Sequence, residues 1–233
     1  MNFIGNFFGH ILRIIFEITR DYGLAIILFT IVAKVLLLPL TIKQTKSTKA
    51  MQDIQPRIQE IQTKYKNKPE KQNEEMVKLY KEANINPLAG CLPLLTQMPI
   101  IIGLFSVIRE PVQYGVFASA AEFTKADVGF LWIQSLTKPD YILAILSGAS
   151  AYIMQKVMMP SDQQQGSMKM MTYVMAGMSL YWGFIFPAGL TLYWTVSNIF
   201  SIGQHYLIMN PLKAKLANSK EEIIDEKNPR SKK

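Results

Sequence analysis

The 233-residue chain is 49% apolar and only 18% charged, and its charges crowd into a few stretches, which excludes an ordinary soluble domain with charge over its whole surface. Lys and Arg number 25 against 17 acids, a net charge of +8 that suits phosphate-bearing partners such as anionic lipid or RNA. One cysteine and two distant histidines, His10 and His205, exclude a disulfide framework and leave no set of ligands for a metal, so no metal and no cofactor is expected.

Residues 1–20 lack a basic start and a small-residue cleavage site, so they do not read as a cleavable leader. Asn2, Asn6, His10, Arg13, Glu17 and Arg20 recur every three or four positions, with Phe3, Phe7, Phe8, Ile11, Ile14, Ile15 and Ile18 opposite. That spacing predicts an amphipathic helix lying on the outer leaflet. Residues 22–42 form the first predicted span, apolar from Leu24 to Leu40 with Lys34 as its only charge. The polar segment 43–86 carries one stripe of Ile54, Ile58, Ile61 and Tyr65 and a second of Met76, Leu79, Tyr80 and Ala83, with Asn67-Lys68-Pro69 between them. Two helices folded against each other as a cytoplasmic hairpin satisfy both stripes.

Residues 87–108 form the second span, 109–140 an extracellular loop, 141–159 the third span with Lys156 near its end, and 160–169 a cytoplasmic loop. From Met170 to Met209 there are 40 residues without Lys, Arg, Asp or Glu, interrupted at Phe186-Pro187-Ala188-Gly189. A turn there gives two antiparallel helices, 170–186 and 188–209. Residues 210–233 are a basic cytoplasmic tail too poor in apolar residues to fold alone. The predicted fold class is therefore an all-α membrane protein of five transmembrane helices, with an N-terminal interfacial amphipathic helix and a cytoplasmic helical hairpin. With five spans, segments 42–86, 156–169 and 210–233 share one side and hold 19 of the 25 positive charges. The positive-inside rule then sets the N-terminus outside and the C-terminus in the cytoplasm.

Lys34 is the sharpest chemical feature. A lysine near a span centre costs about 2.5–3.5 kcal/mol, against about 0.3–0.6 kcal/mol gained by each Leu, Ile, Val or Phe, so the helix inserts while carrying a charge it does not need. Intramembrane charges rarely face lipid, which points to a hydrated cavity within the bundle. On a straight helix Lys34 would stand about 13 Å from Lys43, far for snorkelling to the interface. Thr30 lies one turn before it on the same face, and no other span offers an acid to pair with it. An unpaired cation in a wet groove attracts acidic polar polypeptide. Gln97, Gln155, Asn198, Gln204, Tyr193 and Trp194 supply further polar atoms that together could wet one cavity, although each alone suits a helix-to-helix hydrogen bond. Eight of the 13 methionines lie between Met154 and Met178, an adaptable apolar surface for varied clients or lipid-facing filler.

The run Asn86-Pro87-Leu88-Ala89-Gly90-Cys91-Leu92-Pro93 followed by Gln97-Met98-Pro99 resembles the second-span signature of the YidC/Oxa/Alb membrane protein insertases. Tyr22-Gly23-Leu24-Ala25-Ile26 leading to Leu38-Pro39-Leu40-Thr41, Gln155-Lys156 with Met158-Met159, and Phe186-Pro187-Ala188-Gly189 to Leu192-Tyr193-Trp194 with Asn198 extend the resemblance over nearly the whole chain. The likeness is to the short bacterial form found in Gram-positive bacteria. Leu88-Ala89-Gly90-Cys91 matches a lipobox string, but inside a span Cys91 reads as a small packing residue.

The resemblance implies a five-helix bundle with a cationic hydrophilic groove open to cytoplasm and lipid and closed to the outside. Lys34 stands where the family usually has an arginine, and lysine lacks the planar bidentate contact and can lose its proton when desolvated. The implied function is insertion of nascent membrane proteins into the bacterial plasma membrane, alone or with the Sec translocon. Implied partners are nascent membrane proteins, the ribosome, the Sec translocon and anionic lipids, with the protein acting as a monomer. No phosphate-binding glycine loop, zinc pattern or hydrolase triad suggests an enzyme. The alternative reading is a small anion transporter or channel with its substrate at Lys34. A passive scaffold would tolerate Lys34→Leu.

Overall fold

The computed structural model describes residues 2–86, 92–127, 129–158 and 167–209. Helix α1, Asn2–Thr19, buries Gly5, Gly9, Leu12 and Phe16, a stripe at spacings of four and three. Phe3, Phe7, Ile14 and Ile18 stay exposed. The apolar side of this helix thus divides in two, because the glycines let part of it dock on the bundle. Gly103 of a later helix lies against Phe8 and Ile4, and the Phe8 ring meets Phe29 edge-on at 5.5 Å.

The stretch predicted as one span over 22–42 is broken. Helix α2, Tyr22–Leu36, starts at Asp21, whose side chain accepts from the Leu24 amide at 2.8 Å. Helix α3, Leu38–Asp53, leaves Leu37 at a bend of 60°. Pro39 supplies the cause: it has no amide hydrogen to continue the ladder, and its ring clashes with the carbonyl four residues back. Lys34 and Lys43 therefore do not share a straight helix, and the 13 Å separation expected between them does not apply.

Helix α4, Gln55–Lys64, and helix α5, Pro69–Glu82, pack with Ile58 and Leu79 buried between them and with Arg57 to Glu82 at 3.1 Å. Pro69 begins α5 because the first helical turn has no use for its missing donor. Helix α6, Leu92–Arg109, contains Pro99. Within the loop that follows, Ser119 and Glu122 form a cap, the Ser119 hydroxyl accepting the Glu122 amide at 3.2 Å, and start the short helix α7, Ala120–Ala126.

Helix α8, Tyr141–Met158, and helix α9, Ser167–Ile185, meet along small residues. Ser147 and Ser179 hydroxyls are 2.9 Å apart, and a methyl on Gly183 would collide with Ala144. Helix α10, Ala188–Gln204, starts after Pro187 and widens into a π-helical turn at His205–Met209, shorter as an α-helix than the 188–209 expected. Among the described residues there is no strand, only an isolated bridge between Phe130 and Ile133.

The bundle differs from one end to the other. At the α1 and α7 end, Leu12, Phe16, Ile26, Leu104, Ile108, Phe117 and Leu190 form a dry core. Further along, the buried residues turn polar: Thr30, Gln44, Thr195, Ser197, Ser201 and Gln204. The outside does the reverse, leaving Leu36, Leu95, Ile145, Tyr181, Ile185 and Ile199 exposed. Polar within and apolar without is a poor solution in water and a natural one in lipid. Helix α8 is long and apolar enough to cross a bilayer, and the bent α2–α3 pair passes only if taken as one span.

Candidate functional site

A set of polar contacts at the polar end of the bundle involves α10 or the bent segment beside it. Tyr193, Ser197, Ser201 and Gln204 follow one another at spacings of four, four and three, which aligns them on one face of α10. All four are buried there. Gln97 of α6 donates to the Tyr193 hydroxyl, and the Ser197 side chain lies beside that hydroxyl. One turn on, Lys34 of α2 donates from Nζ to the Ser201 hydroxyl at 3.2 Å. At the end of the face, Gln204 donates to Thr41 of α3 at 3.4 Å, while Gln44 donates to Thr96 of α6 at 3.2 Å. The seam from Tyr193 to Ser201 spans about 12 Å at 1.5 Å per residue.

Lys34 is half-buried and turned toward α10, not toward the apolar exterior formed by Ile31, Val32, Val35 and Leu36. Among the described residues no carboxylate lies within ion-pair distance of it. Its neighbour is a neutral hydroxyl, so the cation keeps its capacity to attract an external anion. Burying an ammonium without water or an acid is costly.

The predicted site residues divide. Lys34, Gln97 and Tyr193 belong to the one seam. Thr30 does not reach open surface: it is fully buried and its hydroxyl donates to the Ile26 carbonyl at 2.7 Å. Asn198 faces a different neighbour, donating to Ser150 of α8 at 3.0 Å. Trp194, one turn before Asn198, stacks on Trp182 of α9 at 5.7 Å and meets Phe186 edge-on at 5.8 Å. Gln155 is half-buried on α8. A single cavity wetted by all of these residues is therefore not what the fold builds. Asn198 and Trp194 tie α10 to α8 and α9, whereas Lys34 meets the face of α10 that bonds to α3 and α6.

Sequence reasoning named Gln204 but missed Ser201, Thr41, Gln44 and Thr96. The spacing of Tyr193, Ser197, Ser201 and Gln204 is a signal that was there to find, while the pairings of Gln44 and Thr41 depend on the bend at Leu37. Met170, Met175 and Met178 are exposed on α9. The lipobox-like string ending at Cys91 and the basic tail lie outside the described residues.

The likeness to known proteins is extensive. The family model of the 60Kd inner membrane protein matches residues 14–215. A protein of Clostridium perfringens named membrane protein insertase YidC is 43% identical over 220 residues, covering 91% of this chain and 88% of that protein. Membrane protein insertase MisCA of Bacillus subtilis is 41% identical over 202 residues, covering 84% of this chain and 73% of that protein. A crystal structure described as an active YidC insertase with its first transmembrane domain resolved superposes with a TM-score of 0.63 at 30% identity. That match covers 83% of this chain and 43% of the solved chain. The chain belongs to the 60Kd inner membrane protein family, that of the YidC membrane protein insertases.

Proposed function

We propose that the protein inserts nascent membrane proteins into the bacterial plasma membrane by giving their acidic polar segments a hydrated resting place beside Lys34. The observation that carries this reading is the inward-facing Lys34 ammonium, held by a neutral hydroxyl with no acid paired to it among the described residues. The driving force is burial of the client's own apolar segment, worth about 25 cal/mol per Å² of surface removed from water. The protein's task is kinetic: a polar flank that would otherwise cross about 30 Å of hydrocarbon meets hydrogen-bonding groups and a cation part of the way.

In this reading the chain crosses the membrane five times, with α2–α3, α6, α8, α9 and α10 as spans and α1 at the outer interface. The N-terminus is outside and the C-terminus in the cytoplasm. The dry core beneath α1 and α7 seals the outer side, and the polar end opens to cytoplasm and lipid. The basic stretch 43–86 and the basic tail 210–233 meet anionic lipid, the ribosome or the Sec translocon through phosphate and acidic groups. The exposed α9 methionines adapt to client helices, with the protein acting as a monomer.

The test is insertion by purified protein in vesicles of a one-span client with an acidic N-terminal tail. Lys34→Arg is expected to retain insertion and Lys34→Ala to lose most of it. Undiminished insertion by the alanine variant would remove Lys34 from the mechanism.

A further inference from the structure

The oxygen that holds Lys34 is committed in a way that suits exchange. Ser201 donates its only hydroxyl hydrogen to the Ser197 carbonyl at 2.8 Å, so toward Lys34 it acts only as an acceptor. The residue is 9% exposed, and its position one turn after Ser197 on the same face fixes where that oxygen sits. The contact of 3.2 Å is longer than the roughly 2.7–2.9 Å of an ammonium bonded to a carboxylate. A neutral acceptor at that distance orients the ammonium without neutralising it. An arriving carboxylate would therefore bind more strongly than the group it displaces.

We propose that Ser201 is a positioning residue for Lys34, its hydroxyl holding the ammonium inward as a placeholder that a client's carboxylate replaces. The inference rests on the seam being the client site. The flexible four-carbon stem carries the ammonium toward α10 and away from the exposed apolar face of α2. A hydroxyl is the acceptor suited to this task. A carboxylate at position 201 would form a standing ion pair and remove the attraction, and a methyl would release the lysine outward.

The experiment uses the full chain in vesicles with two clients, one with an acidic tail and one whose tail acids are replaced by their amides. The reactivity of the Lys34 amine toward an acylating reagent, read by mass spectrometry without client, is measured alongside. Ser201→Ala is expected to lower insertion of the acidic client about five- to tenfold, to lower that of the neutral client far less, and to raise Lys34 acylation. Ser201→Thr, which keeps the hydroxyl, restores both readouts. Ser201→Asp abolishes the preference for the acidic client. Unchanged acylation and an unchanged client ratio in Ser201→Ala would overturn the proposal, as would an equal loss on both clients with a lowered melting temperature, the mark of a packing role alone. If Lys34→Ala also leaves the client ratio untouched, the client site itself is wrong. If Lys34→Ala lowers the ratio and Ser201→Ala moves neither readout, only the role of Ser201 fails.

Discussion

Arg13 of α1 grips Glu122 of α7 across more than 100 residues of sequence, its guanidinium reaching the two carboxylate oxygens at 2.9 and 3.0 Å. The same Arg13 nitrogen donates to the Val116 carbonyl at 3.0 Å, and the Glu122 carboxylate accepts the Ala118 amide at 2.6 Å. One arginine thus joins the N-terminal helix to the loop over the dry end of the bundle. The Ala118 amide and Arg13 hold the Glu122 carboxyl below its ordinary value. Glu17 and Glu122 push the Arg13 guanidinium upward in turn.

The lowered Glu122 value fixes the sign of a pH effect. The contact's contribution is fully present above the carboxyl's unfolded value, about 4.3, and is lost as pH falls through the lower folded value. The protection of the amides at 118–126, relative to their intrinsic exchange at each pH, is therefore expected to be high at neutral pH and to fall below about pH 4. Glu122→Gln should show the faster exchange already at neutral pH. Identical exchange in the two proteins at neutral pH would show that Arg13 does not hold this loop.

Gly9 and Gly177 both sit in helices, yet their replacement should act in opposite directions. A methyl on Gly9 would overlap the Tyr114 carbonyl oxygen, a backbone atom that cannot turn aside, whereas a methyl on Gly177 meets nothing within 4 Å. Gly9→Ala is expected to cost about 1–3 kcal/mol as overpacking. Gly177→Ala should be neutral or stabilising by up to about 1 kcal/mol, since it restricts only the unfolded chain. Melting temperatures in detergent check both.

Trp194 and Lys34 should separate in function. Because Trp194 is packed on Trp182 and Phe186, Trp194→Ala is expected to lower the melting temperature. The loss should fall below the about 3–5 kcal/mol of a fully buried tryptophan, and the acidic-to-neutral client ratio should stay unchanged. A ratio that falls as far as in Lys34→Ala would return Trp194 to the client path.

The all-helical architecture was legible because period and punctuation agree in this chain. Asn6, His10, Arg13 and Glu17 mark the outer face of α1, Pro69 the start of α5, and Pro187 the start of α10. The bend at Leu37 was harder to read, although Pro39 was in view: an uninterrupted run of apolar residues suggests one straight helix, and only the packing of Thr41 and Gln44 reports the break. Lys34 stood out because a charge in hydrocarbon is expensive. Its partner did not, because a serine in an apolar helix costs little and has many ordinary uses. Trp194 and Asn198 show the limit of pooling polar residues from several spans. They lie within eight residues of Ser201 on α10, but a helix turns about 100° per residue and sends them to other neighbours.

A client stalled on the ribosome during insertion, with a photoreactive residue in its acidic tail, tests the central claim most directly. Crosslinks mapped by mass spectrometry are expected on residues 30–37 of the bent α2 region and on 193–204 of α10. Crosslinks confined to lipid and to the exposed side of α9, from a client that nonetheless inserts, would contradict it.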